Sequence, residues 1–293
     1  MSKSSKFSNN PRILRTKLKS YEVFSELARS IQLVAFSRLK KLKKKIDSRF
    51  VSLRLLKSFL RSYYSNNYTS YNKVCLIVFF TSEKSCCGSI NSPAIKSTTK
   101  IISTLRSWGC LISLIPVGTK GYNVLRKKYK REIHYNLSDI TTALTVYEAS
   151  FFLVEHVFNI NFNDCYLVYP QFINNFLQQI VYAKFPSFNN FVSSILLDSR
   201  DQNIFLDTFL DNNLENKTFV IDFYFYFFSL LVLDSFQEVE YSELGAKAKT
   251  MELALQNVTE TISILRLKYN KIRQSTITNE IIEILNASIA ILE

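Results

Sequence analysis

The stretch "LGAKAKTMELALQNVTETISILRLKYNKI", residues 244–272, carries an unbroken heptad pattern of apolar residues. This spacing predicts a long helix that packs one face along a partner helix. Because no glycine or proline follows Gly245, the helix should run on toward the end of the chain for about 70 Å. The apolar positions alternate at intervals of four and three residues: Leu244, Ala248, Met251, Leu255, Val258, Ile262, Leu265, Tyr269 and Ile272.

A helix of that length exceeds the diameter of a small domain, roughly 30 Å, so we expect it to project beyond the globular part. One apolar stripe does not keep an isolated helix folded in water. The N-terminal segment is the predicted partner, an antiparallel helix from about residue 12 to the low 60s, since no glycine or proline lies between Pro11 and Gly88. Its apolar residues also recur at helical spacing: Leu14, Leu18, Tyr21, Phe24, Ala28, Ile31, Ala35, Leu39, Leu42 and Ile46.

The middle of the chain alternates predicted strands and helices. "KVCLIVFFT" (73–81) and "CLISLIPV" (110–117) are continuous apolar runs, which are typical of buried parallel strands. "DCYLVYPQF" (164–172) and "FLQQIVYAKF" (176–185) predict two further strands, for which an antiparallel arrangement is one option. This alternation indicates an α/β domain with helices on both faces of its sheet.

A third helix is predicted over 138–158, with Ser138 or Asp139 as its N-cap. The fold is therefore assigned to the α/β class, as a long antiparallel coiled coil of N- and C-terminal helices with an inserted Rossmann-like α/β domain. The predicted domains are an N-terminal coiled-coil helix over 1–65, a globular α/β domain over 66–218 and a C-terminal coiled-coil helix over 219–293.

The most apolar run, "FVIDFYFYFFSLLVLDSF" (219–236), raises the question of a membrane span. Asp222 and Asp234 bracket its apolar centre, which is shorter than the roughly 20 residues that a spanning helix needs. A buried helix is the favoured interpretation.

Catalytic motifs are scarce. The sequence contains no GxxxxGK[ST] or GxGxxG phosphate loop, no HExxH and no GxSxG elbow. Neither His134 nor His156 has zinc-ligand spacing, and Cys87 has no histidine near it in sequence to make it a nucleophile. We therefore expect no catalytic residue, metal or cofactor in this chain. The five cysteines form no CxxC pair and are interpreted as packed or free thiols: Cys75, Cys86, Cys87, Cys110 and Cys165.

The positive charge is concentrated at one end. Residues 1–62 carry 17 of the 37 lysines and arginines but only 3 of the 24 acidic residues, so an acidic partner is indicated. The basic run "RLKKLKKKI" (38–46) fits a solvated helix face, a nucleic-acid-binding scaffold or a docking surface for acidic protein segments. A third class of function, an α/β enzyme with helical dimerisation arms, has little support from the motifs.

Three stretches resemble the gamma subunit of the F-type ATP synthase, its central rotor shaft. "LKYNKIRQSTITNEIIEILNAS" (267–288) is similar to a long C-terminal signature of that family, approximately L-x-[FY]-N-[RK]-x-R-Q-x-x-I-T-x-E-[IL]-x-E-I. "RTKLKSYEVFSELARSIQLVAFSRLKK" (15–41) resembles its N-terminal helix, with Ile31 and Leu33 in place of methionines. "SEKSCCGSINS" (82–92) resembles a family loop.

The resemblance implies a rotor subunit with no active site of its own. In that family the coiled coil enters a hexamer of alpha and beta subunits, and its rotation changes the nucleotide affinities of the beta catalytic sites. The globular foot binds delta- or epsilon-type central-stalk subunits and the membrane c-ring. The resemblance thus implies a chain that is peripheral to the membrane, does not span it and binds no nucleic acid.

The resemblance also assigns contact residues. Arg273, Gln274 and Thr278 match family positions that bond to a beta-subunit loop. A cationic face is expected to meet an acidic lever segment of the beta subunit, through Arg38, Lys40, Lys41, Lys43 and Lys44, with Lys84 in the loop. An apolar tip is expected to turn inside a sleeve, through weakly directional contacts of Ile281, Ile282, Ile284, Leu285 and Ile289.

The chain lacks the two-cysteine insertion of plastid relatives, which favours a mitochondrial or bacterial enzyme. We expect the matrix side of the mitochondrial inner membrane, with the cytoplasmic side of a bacterial plasma membrane as the alternative.

Overall fold

The computed structural model describes residues 11–65, 73–83, 90–173, 178–192 and 214–292, and the side chains of all of these except 45–65, 141–142, 214–217 and 292. The predicted strands and the two predicted terminal helices are present in the predicted order among the described elements. They are helix α1 (Pro11–Ser65), strand β1 (Val74–Phe80), helix α2 (Asn91–Ser107), strand β2 (Leu111–Val117), helices α3 (Thr119–Tyr129), α4 (Ile140–Ala143) and α5 (Val146–Phe158), strands β3 (Asp164–Phe172) and β4 (Gln178–Pro186), and helix α6 (Leu214–Leu292).

The chain divides into two compact units. The coiled-coil unit comprises the residues up to Phe36 and those from Ala248 onward, and the α/β unit comprises Ser37–Lys247. The boundaries between these two units are set by packing, and they fall inside both long helices. The predicted domain boundaries were instead placed where the helical pattern of apolar residues begins or ends. The domain boundaries at 65 and 219 therefore stay a prediction.

In the coiled-coil unit, α6 presents the predicted stripe to α1. Ala248, Met251 and Val258 are buried, and the stripe residues from Ile262 to Ile272 are half-buried. At the rim, the Arg266 guanidinium donates to the Glu22 carboxylate, with Nη2 2.7 Å from Oε1. Residues near the start of α1 therefore face residues late in α6, as an antiparallel coiled coil requires.

The predicted seam of α1 is wrong at three positions. Leu14, Leu18, Ala28 and Ala35 are buried, but Tyr21, Phe24 and Ile31 are exposed, while Ser25 and Gln32 are half-buried in the seam. Phe24 and Ile31 each precede a seam residue by one position, which turns them about 100° away. The small side chains of Ser25, Ala28 and Ala35 suit a close approach of the two helices.

The α/β unit is built on a four-stranded sheet in the order β2-β1-β3-β4. Strand β1 lies parallel to β2 and β3, and β4 closes the sheet antiparallel to β3. The continuous apolar run of β1 is buried on both faces, because one core lies beneath α2 and α3 and a second beneath α5 and α6. The two predicted buried strands and the helices on both faces are confirmed.

The apolar run at 219–236 belongs to this second core. By length and hydropathy alone, one described helix (Thr218–Ile291, within α6) is long enough and apolar enough to cross a membrane. One side of the run nevertheless packs inside the α/β unit, as the interpretation as a buried helix expects, whereas Phe219, Phe225 and Tyr226 on its other side are exposed. The buried apolar members of the run are Tyr224, Phe227, Phe228, Leu231, Val232 and Phe236.

The single helix predicted over 138–158 is wrong, because the chain forms α4 and α5 with a break between them. Asp139 adopts a left-handed conformation (φ 61°) and makes no side-chain capping bond. Thr145 caps α5 instead, through a reciprocal capping box with Glu148. The sequence "TVYE" (145–148) carries this S/T-x-x-E signature, which the apolar periodicity obscured.

Candidate functional site: partner-contact surfaces

The predicted polar patch lies on α6 in the coiled-coil unit. Arg273, Gln274 and Thr278 are all exposed, and the Thr278 hydroxyl donates to the Gln274 carbonyl oxygen at 2.9 Å. Within the described ranges Arg273 has no carboxylate partner, in contrast to Arg266 seven residues earlier, which bonds to Glu22. The guanidinium of Arg273 is therefore available to an acceptor on another chain.

The predicted apolar tip is also exposed. Every described side chain from Arg273 to Ile291 is exposed, so no described segment of the chain packs against α6 here. Exposed apolar surface of this extent marks a protein–protein or membrane contact. The predicted tip residues are 48–68% exposed: Ile281, Ile282, Ile284, Leu285 and Ile289. Ile277 and Ile291 belong to the same surface and were missing from the prediction.

The basic run lies on α1 in the α/β unit. Leu39 is buried and Leu42 half-buried, so these two residues keep the packed stripe through the run. The cations face solvent, and none has an acidic partner in the described part of the chain: Arg38, Lys40, Lys41, Lys43 and Lys44. Lys84, together with Cys86 and Cys87, lies outside the described residues.

A further exposed surface on α1 was missed by the sequence reasoning. Its apolar residues lie beside the buried seam, and from Phe24 onward they recur at intervals of three and four: Val23, Phe24, Leu27, Ile31 and Val34. Their exposed fractions range from 45 to 57%. The spacing is visible in the sequence as a second stripe, of which only Phe24 and Ile31 were placed in the predicted seam. The α1 segment of the coiled-coil unit therefore offers apolar surface to a partner on a second side.

The carboxyl edge of the parallel strands is the place where Rossmann-like sheets bind ligands. Here α6 packs across that edge. The rings of Phe236 and Phe80 are 5.0 Å apart in T-shaped contact, and Ala246 is buried against Ile90. A Cβ atom at Gly245 would lie 2.2 Å from the Phe172 ring. The crevice between β1 and β3 is thus filled by the chain's own helix.

The two histidines and two buried cysteines of the α/β unit make contacts within the fold. His134 shares a hydrogen bond with Ser113, with Nε2 and Oγ 3.1 Å apart, and His156 Nδ1 lies 2.8 Å from the Phe152 carbonyl oxygen. Burial, followed by the neighbouring Cys110 thiol, raises the pKa of Cys75 to about 12. Burial likewise raises the pKa of Cys165. Among the described residues, no group of three or more His, Cys, Asp or Glu could hold a metal ion.

Comparison with known sequences decides the family. The sequence profile of a family described as ATP synthase matches residues 10–291, which is nearly the whole chain. The chain belongs to the gamma family of the ATP synthase. Membership of this family makes it a central-stalk rotor subunit of a membrane-associated ATP synthase complex, and the nucleic-acid-scaffold alternative finds no support.

Curated gamma-family relatives align over their full length. The ATP synthase gamma chain of Rickettsia canadensis (strain McKiel) is 27% identical over 297 residues, covering 97% of this chain and 100% of that one. The ATP synthase gamma chain of Caldicellulosiruptor saccharolyticus is 25% identical, covering 97% of this chain and 99% of that one. The bacterial gamma chains thus align with this chain from end to end.

Chains in solved ATP synthase structures share the fold. A chain of the Euglena gracilis mitochondrial ATP synthase, in a structure of OSCP, F1 and c-ring, superposes with a TM-score of 0.72 at 20% identity, covering 96% of this chain and 94% of that one. A central-stalk and c-ring structure from Tetrahymena thermophila gives a TM-score of 0.57 at 17% identity, covering 78% of this chain and 99% of that one. These matches agree with the α/β fold and its terminal coiled coil.

Proposed function

We propose that the coiled-coil unit turns as a shaft inside a hexamer of alpha and beta subunits, driven by a c-ring to which the α/β unit is coupled. The observation that carries the proposal is the exposure of every described side chain from Arg273 to Ile291. A helix with a polar patch and an isoleucine-rich end, both unpacked in the isolated chain, fits a surrounding protein sleeve. Delta- or epsilon-type central-stalk subunits would bind the α/β unit.

Within that sleeve, the polar patch gives attraction that depends on rotation angle. A guanidinium donates in a planar fork, so Arg273 would bond strongly to a beta-subunit carboxylate only when the two face each other. Gln274 adds an amide that both donates and accepts. Because these bonds are directional, they would form with only one beta subunit at a given rotation angle.

The apolar tip, in contrast, needs contacts whose strength does not depend on the rotation angle. Contacts of Ile281, Ile284 and Ile289 with an apolar sleeve involve no directional bond that must break at each step of rotation. Dispersion contacts are individually small, so sliding from one set to another costs little. The tip would therefore centre the shaft without holding it at one angle.

The basic run would meet the acidic lever of the beta subunit. Exposed ion pairs contribute only about 0.2–1 kcal/mol each and are screened by salt. Several weak pairs, made in turn by Lys40, Lys41, Lys43 and Lys44, suit a contact that must form and release during each turn. The same reasoning gives Lys84 a place in this contact.

The polar patch is tested by replacing Arg273 and Gln274 together with alanine. Bonds to charged groups contribute about 1.5–3 kcal/mol, so proton-driven ATP synthesis by the reassembled complex should fall roughly tenfold or more. Arg266→Ala is the matched control, because it removes the same side chain one heptad away, where it already bonds to Glu22. A double variant that is as active as the control would reject the assignment.

The basic run is tested by replacing Lys40, Lys41, Lys43 and Lys44 with glutamate. Like charges would then face the acidic lever, so assembly or coupled turnover should fall, and more so at low salt. Lys96→Glu with Lys100→Glu, on α2, provides a control on a different helix. Unchanged assembly yield and ATPase activity of the complex would contradict the proposed contact.

We also propose a mitochondrial complex, with this chain on the matrix side of the inner membrane. The missing plastid insertion is compatible with this placement, and structures of the Euglena and Tetrahymena mitochondrial enzymes share the fold. The bacterial gamma relatives support the alternative, the cytoplasmic side of a bacterial plasma membrane. Immunogold labelling or fractionation of source cells decides between the two.

A further inference from the structure

Helices α5 and α6 expose aromatic side chains on the surface of the α/β unit. In α5, Tyr147, Phe151 and Phe158 lie on one side of the helix, because they are four and seven positions apart. The Phe151 side chain is 72% exposed, and in α6 Phe225 is 42% and Tyr226 62% exposed. We call this surface the aromatic face: Tyr147, Phe151, Phe152, Phe219, Phe225 and Tyr226.

Ring contacts join the α5 part of the aromatic face to the α6 part. The centroid of the Phe158 ring lies 4.5 Å from that of Phe225 and 5.1 Å from that of the buried Phe228. Phe158 therefore marks the junction at which α5 packs on α6. Phe151 lies two helical turns, about 10 Å, before Phe158 on the same side of α5. The exposed rings of the two helices thus border the same junction.

The aromatic face has an acidic border, in contrast to the chain as a whole. The chain has 37 lysines and arginines and a net charge of +13, yet none of these cations lies in residues 146–158 or 218–246. Glu155 lies one turn beyond Phe151 in α5, and Asp222 lies about one turn before Tyr226 in α6. Both carboxylates are exposed, and neither forms an ion pair within the described ranges.

This border decides which kind of partner suits the aromatic face. An anionic bilayer has the same sign of charge as Glu155 and Asp222 and would be repelled by them. A second copy of the chain, bound through the same face, would place these carboxylates opposite one another. A complementary partner must cover the rings and neutralise the border, so its surface is apolar at the centre and cationic at the edges.

We propose that the aromatic face binds an amphipathic helix of another central-stalk subunit, apolar on one side and bordered by lysine or arginine. A third helix can pack its apolar side along the junction of two neighbouring helices. The rings of Phe151 and Tyr226 would then be buried, and the cations of the partner would pair with Glu155 and Asp222. The inference rests on the proposed function, in which central-stalk subunits bind the α/β unit, and it specifies the surface and the partner's chemistry.

The first test titrates the full chain into two fluorescently labelled synthetic peptides. Both form a helix with the same leucine side, but one has lysines along its borders and the other has glutamates. We expect the anisotropy of the lysine-bordered peptide to rise at low protein concentration, and that of the glutamate-bordered peptide to stay unchanged. Equal binding of the two peptides would overturn the proposal.

One pair of variants tests the rings. Phe151→Ser with Tyr226→Ser should weaken binding of the lysine-bordered peptide about tenfold or more, since two large apolar side chains are no longer buried in the contact. Phe24→Ser with Leu27→Ser removes exposed apolar side chains from α1 instead, and it should change binding by less than about twofold. Equal weakening by the two double variants would contradict the assignment to the aromatic face.

A second pair of variants tests the border. Glu155→Lys with Asp222→Lys should weaken binding of the lysine-bordered peptide roughly fivefold or more and should create binding of the glutamate-bordered peptide. A gain of binding requires a folded chain, so misfolding cannot imitate it. Glu252→Lys with Glu260→Lys makes the same charge change at exposed positions of α6 in the coiled-coil unit and should leave both affinities unchanged. Absence of the gain in the first variant would overturn the proposal.

The final test uses the assembled complex, with benzoylphenylalanine in place of Phe151. Irradiation should link this position to a lysine- or arginine-bordered helix of a central-stalk subunit, identified by mass spectrometry. Links only to the hexamer, to the c-ring or to lipid, or no link at all, would overturn the proposal. The peptide titrations do not involve the hexamer, so a chain with Arg273→Ala and Gln274→Ala should bind the lysine-bordered peptide normally. Failure here and failure of the Arg273 experiment are therefore separate results.

Discussion

Gly245 is the one glycine of helix α6, and it lies where the ring of Phe172 meets the helix. A Cβ atom at this position would lie 2.2 Å from one ring carbon and 2.6 Å from another. The adjacent Tyr241 also packs on Phe172, with ring centroids 5.0 Å apart. A missing side chain therefore lets the end of β3 and helix α6 approach each other closely.

Gly245→Ala should destabilise the full chain, although alanine is the better helix former. Helix propensity alone would add about 1 kcal/mol of stability. Overpacking against the Phe172 ring typically costs about 1–3 kcal/mol, and it should dominate because the contact distance is far below van der Waals separation. The sign of the change in the free energy of unfolding, measured by urea denaturation, decides between the two effects.

A compensating variant makes that measurement specific. Phe172→Ala removes the ring, so adding Gly245→Ala to it should no longer be destabilising and should be neutral or favourable. If Gly245→Ala raises stability in the natural chain, the close packing of α6 on β3 is disproved.

At the scale of single elements, helix α5 shows how a few polar atoms fix a boundary. The amide and hydroxyl of Thr145 donate to the Glu148 carboxylate at 2.7 and 2.8 Å, and the Glu148 amide donates back to the Thr145 hydroxyl. These bonds, with that of the Thr145 amide foremost, lower the pKa of Glu148 from its ordinary value of 4.5. The capping box separates α5 from α4 and sets its first turn.

The capping box predicts a pH dependence of stability. Because the folded-state pKa of Glu148 lies below the unfolded value, its contribution is present above about pH 4.5 and is lost as the pH falls through the folded pKa. Glu148→Gln should therefore reduce stability near neutral pH, and the variant should lose less stability than the natural chain when the pH falls below about 4.5. Urea denaturation near neutral pH and below about pH 4.5 measures the effect.

Glu155→Gln makes the same change at an exposed position of the same helix outside the capping box, and it is the matched control. Thr145→Ala should lower stability by about 1 kcal/mol at neutral pH, since it removes the N-cap. Equal pH profiles for the natural chain and Glu148→Gln would show that the capping box does not contribute.

The sequence predicted the elements well where apolar periodicity decides them. The heptad run from Leu244 to Ile272 and the buried strands β1 and β2 follow directly from spacing and continuity. The same signal placed Phe24 and Ile31 in the seam wrongly, because larger apolar residues beside Ser25 and Gln32 outweighed the true seam. Periodicity also concealed the break before Thr145, which depends on hydrogen bonds.

The candidate contact residues depended on a different kind of information. No periodicity distinguishes Arg273 from Arg266, and the resemblance alone singled out the former. The structure then showed that Arg266 is paired with Glu22, while Arg273 is exposed without a partner in the described ranges. Which residues lack a partner depends on three-dimensional packing, so the sequence could not show it.

At the scale of the whole molecule, the isolated chain exposes more apolar surface on its helices than its own packing can cover. The second stripe of α1 and the tip of α6 contribute exposed Phe24, Leu27, Ile284 and Ile291 among others. Such surfaces favour self-association when the partner is missing. An assembled complex would cover them.

We therefore expect the isolated chain to bind a hydrophobic dye such as ANS and to form reversible oligomers. In the assembled complex, where partners cover this surface, the surface should neither bind the dye nor cause self-association. Ile284→Ser with Ile291→Ser should reduce both signals in the isolated chain. Val258→Ser, which alters the buried seam, is the contrasting variant and should raise dye binding instead. Dye fluorescence and analytical ultracentrifugation make the comparison, and an unaltered signal in the tip variant would contradict the expectation.

Helix α6 runs from Leu214 to Leu292 as one element, and it supplies both core aromatics such as Phe228 and the exposed end at Ile291. The core of the α/β unit and the exposed surface of the coiled-coil unit therefore draw on one and the same helix. A proline introduced anywhere along it would remove a backbone donor from an element that both units use.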